Sequence, residues 1–254
     1  MEAFRLFNEQ GSSPYVLVCE HASRYIPPRY AGLGLPETEL TRHIAWDIGA
    51  GNVALRLSKK LDAPLILANY SRLLIDLNRP PRSATSIPRI SEATVIPGNI
   101  NLPGEEVQHR IENYFMPFQT RLARLLDARQ AGGKPTIIIG VHSFTPVYKN
   151  VARPWHAGIL FRRSQSFGTA LANALGGAAA TIAENQPYQI DDKSDYTVPV
   201  HGEARGLDAV LVELRQDLIA DDKGATEWTR KLHTALIDQS FSRRGAIVPP
   251  APSV

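Results

Sequence analysis

The sequence is almost free of cysteine. Its 254 residues include a single one, Cys19, so no disulfide can form within the chain. Disulfides persist in secreted proteins, whereas a lone cysteine is usual where thiols are kept reduced. We therefore expect a cytoplasmic protein. Cys19 stands in an apolar run and is expected to be a small buried residue, not a nucleophile.

Long apolar runs are also missing, and neither sign of charge dominates. No stretch approaches the roughly 20 apolar residues that span a bilayer, and the N-terminal segment has Glu2 and Glu9 where an export signal has an apolar core. The net charge is +3, from 28 basic and 25 acidic residues scattered along the chain. We expect no membrane binding and no nucleic-acid binding. The composition makes no prediction about oligomeric state.

The chain does contain a regular alternation of short apolar runs and amphipathic segments. The apolar runs are rich in leucine and β-branched residues, as in strands buried on both faces. Their order with the helical segments predicts an α/β sandwich with a largely parallel or mixed sheet. The runs are YVLVCE (15–20), PLILAN (64–69), TIIIGV (136–141), AGILF (157–161) and AVLVEL (209–214).

Apolar residues at helical spacing predict four helices. A kink is expected in the second at Pro117, and Ser164 is the predicted N-cap of the third. No linker divides the chain, so we expect one domain over residues 1–254, with an extended tail at about 247–254. The predicted helices are 48–61, 107–125, 165–175 and 226–240.

Several polar side chains stand near the carboxyl ends of the predicted strands, where open α/β sheets bind their ligands. His21 follows the first strand, His142 follows the third, and Glu213 lies in the last. Asp47 stands at the start of the first long helix. Two histidines, an acidic ligand and a further glutamate are the groups of a catalytic zinc centre, which keeps its fourth position for water. A nearby carboxylate can accept a proton from that water.

Each of these residues also has an ordinary structural explanation. His142 could be a core histidine, and His21 could form an ion pair with Glu20. Glu213 is harder to explain, because a buried glutamate is costly unless it is paired. Its partner could be Arg215, since residues two apart in a strand share a face.

Two irregular segments, 79–104 and 185–206, are rich in proline, glycine and small polar residues. Loops that long within a compact domain are usually functional. Asn78 and Arg79 stand side by side before the first segment and could hold a carboxylate through charge-assisted hydrogen bonds. His201, in the second segment, is a candidate substrate contact.

The sequence resembles the N-formylglutamate amidohydrolase family over most of its length. The blocks that carry the resemblance are, in order, VCEHASRYIP, AWDIGA, LIDLNRP, GVHSFTP, PWHAGILF, NQPY and VELRQDLI. More distantly, the chain is similar to zinc carboxypeptidases. One departure is that carboxypeptidases have a glutamate ligand three residues after the first histidine, where this chain has Arg24. The shared carboxypeptidase motifs are Asn78-Arg79, His142-Ser143-Phe144 and Glu213-Leu214-Arg215.

The resemblance implies a zinc-carboxypeptidase-like fold, a three-layer α/β sandwich with a central mixed, largely parallel sheet. It also implies a zinc-dependent amidohydrolase that cleaves an N-acyl acidic amino acid, with N-formyl-L-glutamate yielding formate and glutamate. The implied zinc ligands are His21 and His142. We expect Asp47 as the third ligand, with Glu20 as the alternative. Glu213 would activate the water and later protonate the leaving amine.

The implied partner is therefore a small acidic substrate. Asn78 and Arg79 would hold one of its carboxylates, and Arg82 would assist with a second carboxylate or with the oxyanion. Two rival functions stay open at this point. One is a carboxypeptidase, or a deacylase of another N-acyl amino acid, on the same scaffold. The other is a metal-free protein that binds acidic metabolites without catalysis.

Overall fold

A computed structural model describes residues 1–176 and 181–238 of the chain, so the predicted tail lies outside the described residues. Eleven strands occur in the described part. They are β1 (Phe4–Phe7), β2 (Tyr15–Cys19), β3 (Leu65–Ala68), β4 (Ile90–Ser91), β5 (Thr94–Val95), β6 (Ile137–Phe144), β7 (Val147–Tyr148), β8 (Val151–Ala152), β9 (Ala157–Leu160), β10 (Ile182–Glu184) and β11 (Asp208–Arg215).

Seven of these strands form one sheet, in the order β1-β3-β2-β6-β11-β9-β10. The four central strands β3, β2, β6 and β11 are mutually parallel. β1 is antiparallel to β3, and β9 is antiparallel to β11. The prediction of a central mixed, largely parallel sheet is confirmed. β4 with β5 and β7 with β8 form two separate hairpins.

The described residues also form six α-helices, and the predicted second helix is interrupted. A π-helical stretch at Ile111–Phe115 joins two α-helical parts and ends two residues before Pro117. Proline has no amide hydrogen to give to the preceding turn, so the irregularity falls just ahead of it. The helices are α1 (Glu37–Leu40), α2 (Ala50–Leu61), α3 (Gly104–Arg110), α4 (Met116–Ala131), α5 (Gln165–Ala174) and α6 (Asp222–Ile237).

One predicted helix start is confirmed and another is wrong. α5 begins at Gln165 with Ser164 at its N-cap position, as predicted, but the Ser164 hydroxyl makes no capping bond. It accepts a hydrogen bond from the Ala209 amide, 2.9 Å away, at the beginning of β11. α6 begins four residues before the predicted start, where Asp221 accepts from the Gly224 amide at 2.7 Å and caps the helix. Apolar spacing does not report side-chain hydrogen bonds such as that of Asp221, so the sequence pattern places the start of α6 too late.

The sheet is covered on both faces, which gives the three predicted layers. Leu17 and Cys19 of β2 point to one face, which α2, α5 and α6 cover. Val16 and Val18 point to the other face, where α4 and the segment 70–77 pack. Because both faces are buried, the strands consist of nearly continuous apolar residues. Within the described residues, no helix has the length and apolar character needed to cross a bilayer.

Candidate active site

The central parallel strands bring residues from distant parts of the sequence to one edge of the sheet. His21 follows β2, and His142 lies within the neighbouring strand β6. β6 continues to Phe144, so His142 does not follow the strand but lies within it, two residues before its end. The Asp47 amide donates to the His21 carbonyl at 2.9 Å, which anchors the segment before α2 against the end of β2.

His21, Asp47 and His142 converge on one point. Asp47 Oδ2 lies 2.9 Å from His142 Nδ1 and 3.3 Å from His21 Nδ1. One nitrogen or oxygen atom from each of the three residues lies within 4.8 Å of the others, and all three side chains are buried. The structure thus brings together the two predicted histidine ligands and the predicted third ligand, a donor set of two imidazole nitrogens and one carboxylate oxygen.

The outer nitrogen of each imidazole faces a further carboxylate. His21 Nε2 lies 2.7 Å from Asp76 Oδ1, and His142 Nε2 lies 3.1 Å from Glu20 Oε2. Histidines that bind metals usually present their second nitrogen to a carboxylate, which fixes the ring and its tautomer. The residues present therefore fit a metal ion. Glu20, the alternative third ligand, lies on the outer side of His142 and is not a member of the convergent group.

Attraction between the charged side chains of this cluster shifts their pKa values. Burial raises the pKa of Asp47, but His21 and His142 outweigh burial and leave this pKa lowered. Burial lowers the pKa of His142, but Glu20 and Asp47 outweigh it and raise this pKa well above its ordinary value. The carboxylate is thus charged and the imidazole readily takes a proton. A divalent cation would supply the same positive charge at the same place.

Arg72 belongs to the site although the sequence analysis missed it. Its Nη2 donates to Asp76 Oδ2 at 2.7 Å, and its Nη1 donates to Asp47 Oδ1 at 3.3 Å. It thereby ties the carboxylate behind His21 to the predicted third ligand. Arg72 and Asp76 are four residues apart, a spacing that indicates an ion pair within a helix but not in an irregular segment such as this one.

Glu213 faces the cluster from the neighbouring strand. It lies in β11 directly opposite His142 in β6, and it is buried, with 6% of its surface exposed. Its Oε2 atom has no hydrogen-bond partner among the described residues. Burial raises the pKa of Glu213 to about 7, Asp47 adds to the rise, and His142 opposes it. The suggested pairing with Arg215 is wrong, because Arg215 Nε donates to Asp217 at 2.8 Å instead.

A cavity of about 470 Å³ opens over this cluster. Its wall includes His21, Asp47, His142 and Glu213, together with polar groups from the loops after β3 and β10. The hairpins β4–β5 and β7–β8 contribute to the same wall. Additional lining residues are His43, Arg72, Asp76, Asn78, Arg79, Glu92, Tyr148, Tyr188 and Asp195.

Asn78 and Arg79 lie in the cavity wall, but much of their hydrogen-bonding capacity is already used. Asn78 Oδ1 accepts from the backbone amides of Tyr196 and Thr197, both at 3.0 Å. Arg79 Nη1 donates to the carbonyl of Ser194. The guanidinium has five N–H donors, and the Arg79 side chain is 24% exposed, so donors are left for a ligand.

Arg82 and His201 are not among the residues that line the cavity. Arg82 is directed to the surface, where it donates to Gln108. His201 is buried against α4, with Nε2 2.8 Å from Gln119 Oε1, and burial lowers its pKa to about 4. The π-helical stretch Thr197–Gly202 turns this imidazole inward. The structure thus gives no support to a substrate contact by either residue.

Comparison with known proteins gives a consistent result. The model of a family described as N-formylglutamate amidohydrolase matches residues 13–220. The structure of a gene product from Agrobacterium tumefaciens is similar at 36% identity and a TM-score of 0.91, with 96% of each chain covered. The N-formylglutamate amidohydrolase from Ralstonia eutropha JMP134 shares the fold, with 19% identity, a TM-score of 0.68, and coverage of 96% of this chain and 99% of that one.

One further structure is distantly similar, and one comparison finds nothing. A metallo-carboxypeptidase from Burkholderia cenocepacia aligns at 11% identity with a TM-score of 0.42, over 91% of this chain and 58% of its own. A search of curated proteins finds no match.

Proposed function

The chain belongs to the N-formylglutamate amidohydrolase family and is a hydrolase that acts on an amide, and from this premise we propose that it is a zinc-dependent deacylase of N-acyl acidic amino acids. N-formyl-L-glutamate is the first substrate to consider. The observation that carries the proposed function is the buried carboxyl of Glu213 beside the cluster of His21, Asp47 and His142, with an Oε2 atom that has no hydrogen-bond partner in the described part of the chain.

The proposed zinc ligands are His21, His142 and Asp47. Nitrogen and carboxylate oxygen donors suit zinc, and three protein ligands leave a position open, as catalytic centres require. When bound, zinc would act as a Lewis acid on the amide carbonyl and would lower the pKa of a water molecule. Asp76 and Glu20 hold the two imidazoles in orientation, and Arg72 offsets part of the negative charge.

Glu213 acts as general base and then as general acid. Its carboxylate accepts a proton from the attacking water, whose oxygen forms a bond to the carbonyl carbon. The C–N bond then breaks, and Glu213 returns the proton to the departing nitrogen. The products are a carboxylic acid, formate for a formyl group, and a free amino acid. A pKa of about 7 in the metal-free site suits a group that must both take and give a proton near neutral pH.

Arg79 is the proposed contact for a substrate carboxylate. Its guanidinium lies in the cavity wall and is fixed by the Ser194 carbonyl, so its free donors are preorganised. Asn78 lies in the same cavity wall, and its side-chain amide nitrogen carries two hydrogens, one of which can be donated to the substrate carboxylate. A charged carboxylate held by arginine gives strong, geometrically specific hydrogen bonds. This is the support for an amino-acid substrate with a free carboxylate.

The decisive variant is Glu213→Gln, which keeps the shape of the side chain and removes the base. We expect a folded protein that retains zinc but loses at least about 100-fold in kcat, the lower range for general acid–base catalysis. Zinc content, melting temperature and kcat are measured on the same preparation, with N-formyl-L-glutamate, N-acetyl-L-glutamate and an N-formyl neutral amino acid as substrates. A zinc-loaded Glu213→Gln protein with near-normal turnover would rule out this mechanism.

A further inference from the structure

A buried chain of contacts runs outward from His142 to the proposed carboxylate site. His142 Nε2 lies 3.1 Å from Glu20 Oε2. The other oxygen of Glu20 accepts a hydrogen bond from the Thr197 hydroxyl. The Thr197 amide in turn donates to Asn78 Oδ1 at 3.0 Å. Three contacts therefore join His142, a proposed zinc ligand, to Asn78, which precedes Arg79 in the sequence.

The chain returns to the other histidine. The Asn78 amide donates to Asp76 Oδ1 at 2.9 Å, and the same oxygen lies 2.7 Å from His21 Nε2. Since both imidazoles also face Asp47 Oδ2, the contacts close into a ring. Its members are His142, Glu20, Thr197, Asn78, Asp76, His21 and Asp47.

Thr197 is the member of this ring that catalysis and metal binding do not otherwise use. It has no exposed surface, and it is the first residue of the π-helical stretch Thr197–Gly202. A carboxylate can only accept hydrogen bonds, so the hydroxyl of Thr197 must donate to Glu20. This bond fixes the rotation of the Glu20 carboxylate and leaves its Oε2 3.1 Å from His142 Nε2, as an ion pair without hydrogen-bond geometry. No other hydrogen bond to either Glu20 oxygen occurs among the described residues.

We propose that Thr197 is a positioning residue: through Glu20 it orients His142 for metal binding, and through its amide it connects this centre to Asn78. This role rests on the proposed function, which assigns the two ends of the connection. Partners of metal ligands typically contribute 10- to 100-fold to metal affinity. Thr197 acts one step farther out, so its removal should have an effect near the lower end of that range.

The test uses the whole protein and first compares three single variants; a fourth, Glu20→Gln, is measured alone and together with Thr197→Val. Thr197→Val keeps the branched shape and removes the hydroxyl, whereas Thr197→Ser keeps the hydroxyl. Thr229→Val is the matched control, because Thr229 is equally buried and its hydroxyl donates to the Ala225 carbonyl in α6, away from the cavity. Zinc affinity is measured by competition with a chromophoric chelator, and the melting temperature is recorded for each metal-free variant.

We expect Thr197→Val to weaken zinc binding about tenfold, with Thr197→Ser and Thr229→Val within about twofold of the unchanged protein. Activity lost by Thr197→Val should return when zinc is added in excess. Because zinc also stabilises the folded state, the melting temperature of the metal-free variant must lie close to that of the unchanged protein for this recovery to support the assignment. Adding Thr197→Val to Glu20→Gln should weaken binding no further, because Thr197 acts through Glu20. Glu20→Gln is also measured alone. If Thr197→Val folds poorly, Thr197→Ala takes its place in both comparisons, because it too removes the hydroxyl.

Unchanged zinc affinity in a folded Thr197→Val protein would overturn the assignment, and so would an equal loss in Thr229→Val. Additive effects with Glu20→Gln would overturn it as well. The zinc affinities do not depend on the substrate. If the protein bound zinc but hydrolysed no N-acyl amino acid, the proposed function would be refuted. The zinc affinities of the variants would still decide the role of Thr197. An unchanged protein that binds no zinc would refute both.

Discussion

Glu213 is a carboxyl group placed where ionisation is unfavourable. It is buried between strands, its Oε2 has no partner among the described residues, and Asp47 lies close enough to repel a second negative charge. A residue chosen for stability alone would not be a glutamate here, since an uncompensated buried charge costs several kcal/mol. The position is explained by the proton transfers that the proposed function assigns to it.

The pKa of Glu213 makes stability of the metal-free protein depend on pH in a defined direction. Its pKa rises from 4.5 to about 7 on folding, mainly through burial. Between these values the folded protein holds a proton that the unfolded chain has released, so this contribution is full below pH 4.5 and is lost as pH rises through 7. The loss is on the order of 3 kcal/mol at most, from about 1.4 kcal/mol per pH unit.

Glu213→Gln mimics the protonated form at every pH and removes this dependence. In protein stripped of metal, we expect the melting temperature of the variant relative to the unchanged protein to rise between pH 5 and pH 8. Thermal unfolding in matched buffers with a chelator present measures the difference. A difference that stays constant over this interval, or falls, would contradict a raised pKa at Glu213.

Single residues also show what the sequence can and cannot predict. The sequence marks His21, His142 and Glu213 as polar groups at apolar strands. Asp47 is marked by its place at the start of a helix and by the family resemblance, and the structure brings all four to one cavity. Thr197 could not be selected, because its significance depends on Glu20, 177 positions earlier in the chain. A buried threonine is unremarkable until its partner is known, and a partner that distant leaves no local pattern.

Among the secondary-structure elements, β9 has a position at which its neighbours leave no room for a side chain. Gly158 lies opposite Glu213 in the antiparallel pairing of β9 with β11. A Cβ atom on Gly158 would lie 1.7 Å from the Gln186 carbonyl oxygen, which is backbone and has no room to move alone. Two residues after Gln186, Tyr188 lines the cavity. The glycine therefore allows the loop after β10 to pass closely over the strand and to form one wall of the site.

Replacing this glycine should loosen the wall. We expect Gly158→Ala to destabilise the protein by about 1–3 kcal/mol or more, as overpacking does, and to lower kcat/KM because Tyr188 is displaced. Gly104→Ala is the control, since a Cβ atom at Gly104, the first residue of α3, meets nothing within 4 Å. Thermal unfolding and kinetics of both variants test the point. The close approach would be refuted by a Gly158→Ala protein as stable and active as the Gly104→Ala protein.

The strands were predicted more accurately than the helices, for a physical reason. The central strands are buried on both faces, so their apolar runs coincide with β2, β3, β6, β9 and β11 to within a few residues. The edge strands β1 and β10 were missed because their residues are only partly buried and carry no continuous apolar pattern. An irregularity at Pro117 is predicted from the sequence, but its π-helical form is not, because helical periodicity is preserved on either side of Ile111–Phe115.

The topology of the entire sheet creates the site. Parallel strands β2, β6 and β11 align their carboxyl ends, and this alignment places groups from positions 21, 142 and 213 at one cavity although they are far apart in sequence. In the unfolded chain these groups are separated and can bind one ion only weakly. A metal that binds the folded state alone shifts the unfolding equilibrium by mass action, so the global stability of the protein reports on the centre.

Zinc should therefore raise the melting temperature. At a free concentration 100 times the dissociation constant, binding adds about 2.7 kcal/mol, which corresponds to roughly 5–10 °C for a chain of this size. The shift is measured by thermal unfolding of chelator-treated protein before and after zinc is restored. His142→Ala should abolish most of it, because one nitrogen ligand is lost. His109→Ala should retain it, since His109 lies on α3 and contacts Asn113 rather than the cluster. If His142→Ala kept the full shift in melting temperature, the zinc ion would have to bind at another site. The cluster of His21, Asp47 and His142 would then be stabilised only by its own hydrogen bonds and ion pairs.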